Sequence, residues 1–130
     1  MLDDSLLPRI QTHINRFQEI ETLLGDPEVA ADQARFVKLT KEYKHLRRLV
    51  DLMKHYDDEV GNIAFYEEVL AEETDAENIA SAKDGLTASR AEADRLTEEV
   101  KLFLVPNDPE DDKNAILEIR AGTGGDEAAL

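Results

Sequence analysis

The chain has 130 residues, a length that suits one domain, and carries 15 basic against 30 acidic residues for a formal net charge of −15. That excess makes the whole molecule a poor binder of DNA or any other polyanion, and the absence of cysteine removes disulfides, thiol catalysis and Cys-ligated zinc. With four Phe, three Tyr and no Trp, a core has to be built from Leu, Ile, Val and Ala, as in helix bundles.

The first residues place Asp3 and Asp4 where a secretory signal would be basic, and no apolar core region follows. No stretch approaches the roughly 20 apolar residues of a bilayer span. The expectation is a cytoplasmic chain without membrane contact.

Leu7, Ile10, Ile14, Phe17 and Leu24 then recur at helical spacing, with Glu21 in the one polar slot. Gly25-Asp26-Pro27 predicts the end of this helix, because glycine accepts a left-handed cap and proline cannot extend the hydrogen-bond ladder. A second stripe runs through Phe36, Leu39, Tyr43, Leu46, Val50 and Met53. A weaker third segment holds Val60, Ile63, Ala64, Tyr66 and Leu70, and reads either as its own helix or as a continuation of the second.

Residues 72–78, EETDAEN, predict a helix connection in which Thr74 or Asp75 caps the next helix. The fourth segment keeps strict spacing through Ile79, Ala82, Leu86, Ser89, Ala93, Leu96, Val100 and Phe103, and its small central residues permit close helix approach. Short breaks between long amphipathic segments favour antiparallel neighbours. The predicted fold is therefore all-α, an elongated, coiled-coil-like bundle of three to four helices.

At Pro106 the pattern changes. Two prolines and four acidic residues between Pro106 and Asn114 predict a solvated linker, and Ala115 to Ala121 alternate as a strand does. A lone strand needs partners for its backbone groups. The chain is thus expected to hold a helical domain over 1–105, a linker over 106–114 and the truncated start of a second domain over 115–130.

The cluster Gly122, Gly124, Gly125 and Asp126 invites a reading as a phosphate loop, but no Lys-Ser/Thr follows it and it lacks the G-x-G-x-x-G spacing. Asp126 and Glu127 would occupy the helix N-terminus that a phosphate needs. A strand-to-helix turn with an acidic cap is the better reading. Adjacent carboxylates such as Asp57-Asp58, Glu67-Glu68 and Glu98-Glu99 point about 100° apart on a helix and do not converge on a substrate. His13, His45 and His55 share no metal spacing and read as surface or interface residues. No catalytic residue, metal or cofactor is expected.

One segment opposes the overall charge. Residues 35–55 hold seven basic and two acidic groups. With Phe36 and Leu39 on the buried seam, Lys38, Lys41, Lys44, His45 and Arg48 fall mainly at outward positions. They either contact RNA phosphates or an acidic protein surface, or form a solvated face that offsets the acidic helices beside it.

The run LFLVPNDPEDDKNAILEIRAGTGGDEAAL closely resembles the junction between the first and second domains of bacterial class I peptide chain release factors. Its last part, NAILEIRAGTGGDEAAL, is most similar to the type that reads UAA and UAG, and LLGDPEVAADQARFVKLTKEY is similar to the same family's helical domain. The resemblance implies translation termination: stop-codon recognition on the ribosome and hydrolysis of peptidyl-tRNA. The family does this work with a Pro-x-Thr codon-reading element and a Gly-Gly-Gln loop.

Neither motif is present here. The glutamines are Gln11, Gln18 and Gln33, none after a glycine pair, and no proline is followed two positions later by threonine. The resemblance therefore implies an N-terminal fragment whose helical domain lies toward the ribosomal stalk base and contacts the GTPase release factor that recycles the protein. The alternative is a free-standing acidic helical adaptor or coiled-coil interaction protein, which has no need for the C-terminal motif.

Overall fold

A computed structural model describes residues 1–105. A 3-10 turn, Asp4–Leu6, leads into α1 (Leu7–Leu24), a short α2 (Pro27–Ala31), the long α3 (Gln33–Glu72) and α4 (Ala76–Leu104). At 1.5 Å per residue α3 extends roughly 60 Å and α4 roughly 44 Å. The predicted strand, the linker and the glycine cluster lie outside the described residues.

The sequence sets the helix ends. Asp26, Asp32 and Asp75 precede α2, α3 and α4, and their carboxylates accept from the backbone N–H groups of Glu28, Arg35 and Asn78 at 2.9, 3.2 and 3.1 Å. Each satisfies a donor the helix leaves unpaired. Asp75, not Thr74, is the cap of α4. The expectation for Gly25 is corrected: its φ is −85° and ψ −4°, a right-handed conformation open to any residue. Pro27 instead stops α1, since the residue before it, Asp26, is held extended.

The third amphipathic segment continues the second without a break, so α3 is one helix of 40 residues. It runs antiparallel to α4. His45 faces Phe103, Arg48 faces Glu99 and His55 faces Glu92, so rising numbers on one helix meet falling numbers on the other. α1 packs beside the N-terminal half of α3 and the C-terminal end of α4. Ile10 of α1, Leu49 of α3 and Val100 and Leu104 of α4 form one buried cluster, while Phe17, Ile20, Leu39 and Leu46 form another that α2 closes with Val29, 1% exposed.

Beyond that region α3 and α4 continue as a two-helix hairpin around Tyr56, Ile63, Leu86, Ala93 and Leu96. Among the described residues only the N-terminal arm joins this cluster, through Leu2. The Leu2 N–H donates to the Tyr56 hydroxyl at 2.9 Å, which ties the arm across the base of the hairpin.

Core positions on α4 match the predicted stripe closely: Ala82, Leu86, Ser89, Ala93, Leu96 and Val100 are all buried. The close approach expected from its small residues is visible at Gly85, where a Cβ would lie only 2.4 Å from Cζ of the Tyr66 ring. On α1 and α3 the stripe needs correction. Ile20 occupies the core beside the exposed Glu21, while Leu7 and Phe36 are exposed. Leu49 and Tyr56, both outside the predicted stripe, are buried. A helix with neighbours on two sides needs an apolar face wider than one 3,4 stripe.

Candidate partner-binding face

The basic segment lies on the N-terminal half of α3, along the part of the molecule where three helices pack. Lys38, Lys41, Lys44, His45 and Arg48 are all exposed there, as the seam of α3 predicts. Their surroundings divide them. Arg48 reaches across to α4 and donates to Glu99 at 2.9 Å, and His45 stacks on Phe103 with ring centroids 4.7 Å apart. His13 of α1 meets the same Phe103 edge-on at 5.8 Å, so both of these histidines are interface residues. Lys38, Lys41 and Lys44 have no ion-pair partner among the described residues.

Arg35 lies toward the start of α3 and, with Lys38, borders a groove shared with Arg16, Glu19 and Glu42. It stands one three-residue step before Lys38 and is exposed. The carboxylate inside the run, Glu42, is occupied from α1: Arg16 donates to it with Nε at 2.8 Å and with a second nitrogen at 2.9 Å, a two-pronged contact. Those hydrogen bonds hold the Glu42 carboxyl below its ordinary range, against an opposing effect of partial burial, and hold the Arg16 guanidinium above its own. Arg16 also donates to Glu19 at 2.8 Å.

A groove of about 460 Å³ opens between α3 and α4 next to this face, lined by Lys44, Arg47, Arg48, His55 and Arg95 above Leu52 and Leu96. Its cations are mostly engaged. Arg47 lies 3.7 Å from Asp51, and Arg95 donates twice to Glu92, with both bonds at 2.8 Å. The Arg95 hydrogen bonds hold Glu92 below the usual carboxylate range. His55 places Nε2 3.5 Å from Glu59 and 3.4 Å from Glu92. Among the described residues no group of His, Asp and Glu is arranged to hold a metal ion, and no helix is long and apolar enough to cross a membrane.

The adjacent carboxylates diverge as expected. Glu99 pairs with Arg48 on α3, whereas Glu98 turns to Lys101 on its own helix at 3.5 Å; Glu67 is taken by Arg90 at 2.8 Å. What the described surface offers is a cationic face on an otherwise acidic rod. Such a surface suits docking.

The PCRF domain family matches residues 13–130 of this chain. The chain belongs to that family. Its PCRF domain is similar to peptide chain release factor 1 of Bacteroides thetaiotaomicron, 50% identical over 131 residues, and of Bacteroides fragilis, 48% identical over 128. The protein of that name from Lactiplantibacillus plantarum is 42% identical over 127 residues. These alignments cover 98–100% of this chain and 35% of each relative, so the PCRF chain spans about a third of the length of the curated relatives it matches. No solved structure matches.

Proposed function

We propose that this chain is the helical, ribosome-docking part of a stop-codon-dependent termination factor of the UAA/UAG type, and that it binds rather than catalyses. The observation that carries this reading is the family match over residues 13–130, which includes the NAILEIRAGTGGDEAAL motif that resembles the UAA/UAG readers. Domain limits of 1–105, 106–114 and 115–130 follow from the same resemblance. So do the partners: the stalk-base region of the ribosome, the GTPase release factor that recycles the protein, and, for the whole factor, peptidyl-tRNA and the stop codon in the cytoplasm.

In this reading the chain carries no catalytic group and needs no cofactor. Support comes from the sequence, which has neither a Gly-Gly-Gln nor a Pro-x-Thr. The test uses the 130-residue chain and the full-length factor side by side. The chain is expected to cosediment with ribosomes without releasing peptide, while the full factor releases peptide at UAA and UAG but not at UGA. Failure of the chain to cosediment, peptide release by the chain alone, or release at UGA by the factor would each sink the corresponding part.

A further inference from the structure

Arg35, Lys38, Lys41 and Lys44 follow one another at three-residue steps along roughly 14 Å of α3. Three residues fall about 60° short of a full turn, so Lys38, Lys41 and Lys44 trace a spiral over about 120° of the helix surface, while Arg35 stands about 180° from Lys44, on the opposite side. All four are exposed. The ion pairs among the described residues use Arg16, Arg47, Arg48, Arg90, Arg95 and Lys101 instead. Glu42, the single carboxylate between Arg35 and Lys44, is already bound by Arg16. Lys38, Lys41 and Lys44 are therefore three exposed cations without an ion pair among the described residues, within about two turns of one helix.

Two anionic partners fit free cations, an acidic protein and a nucleic-acid backbone. The composition separates them. Lysine is depleted in protein interfaces, whose energy comes from buried aromatic and arginine anchors, whereas Lys and Arg on long flexible stems supply most phosphate contacts. This spiral holds three lysines. The remainder of the molecule is strongly acidic and repels a polyanion, which confines any such contact to this face and to a few phosphates.

We propose that Lys38, Lys41 and Lys44 form a short contact for an RNA phosphate backbone. The inference rests on the ribosome-docking reading and names the chemistry of one of its contacts. Arg48, which outward position alone would include, belongs instead to the α3–α4 interface.

The test follows binding of the 130-residue chain to a fluorescein-labelled RNA hairpin by anisotropy, with poly-glutamate peptide in parallel. Neutralising about three phosphates gives a log–log salt slope of about −2 to −2.7, so affinity is expected to fall by tens of fold between about 50 and about 200 mM salt. Combined Lys38→Glu, Lys41→Glu and Lys44→Glu substitutions are expected to weaken RNA binding at least tenfold with helical circular dichroism unchanged. Lys54→Glu and Lys83→Glu, at exposed positions away from the spiral, leave it unchanged. If the triple variant loses helicity, the corresponding Lys→Gln changes replace it.

RNA binding that survives the substitutions overturns the assignment. Poly-glutamate bound in preference to RNA overturns it too, in favour of an acidic protein. Ribosome cosedimentation separates this inference from the reading beneath it: a triple variant that cosediments like the wild type overturns the phosphate contact alone, while a wild-type chain that fails to cosediment removes the docking role itself.

Discussion

Glu42 shows how one side chain ties two helices and a charge pattern together. Its carboxylate, 36% exposed, takes both prongs of Arg16, 38% exposed, and so removes a negative charge from the cationic run of α3. Because the folded state holds this carboxyl below its unfolded range, the pair contributes stability above that range and loses it as pH falls through the lowered value. Its exposure limits the contribution to about 1 kcal/mol or less. Wild type and Glu42→Gln are therefore expected to differ in urea unfolding at pH 7, with the gap closing below about pH 4. A gap that stays constant down to pH 3 would contradict this account. The position of the basic face was legible from sequence, but its pairing was not. Arg48 and Glu99 are 51 residues apart, and only the antiparallel fold brings them together.

At the level of elements, α4 was the most legible helix because it presents one continuous seam, from Ala82 to Val100. α3 was read less well. Its partners lie on two sides, so Leu49 and Tyr56 are buried at positions that a single stripe assigns to its flank, and Phe36 is exposed at a position assigned to the seam. α2 escaped notice, since five residues are too short to show a period. The two glycines in the hairpin differ in the same physical terms. A Cβ at Gly61 of α3 meets nothing within 4 Å, whereas one at Gly85 of α4 meets the Tyr66 ring. Gly61→Ala is expected to stabilise the protein by about 0.5–1 kcal/mol through helix propensity alone. Gly85→Ala is expected to gain less, because its Cβ has to push aside the far end of the half-buried Tyr66 ring. Thermal unfolding of the two variants compares them directly, and equal stabilisation would show that Tyr66 does not constrain the approach of the helices.

Across the whole molecule, packing and charge are both uneven. Three helices and α2 surround the cores around Ile20 and Leu49, while residues 57–72 and 76–90 depend chiefly on each other. Local opening is governed by how much buried contact a segment shares with its surroundings. Hydrogen exchange is expected to be faster in the hairpin beyond Tyr56 than in α1 and the facing parts of α3 and α4, and uniform protection would refute that. The hairpin is also the acidic part, with Phe65 59% exposed on its surface, whereas Lys38, Lys41 and Lys44 sit at the better-packed end. The one-helix continuity of α3 gives this arrangement a mechanical meaning. About 19 residues of α3 lie beyond Met53, an arm of roughly 28 Å. By simple leverage, a tilt of only about 10° where the three helices pack would sweep the tip of that arm through roughly 5 Å over its length. A small rotation of the molecule on whatever holds its basic end is thus magnified at the other end into a change of reach.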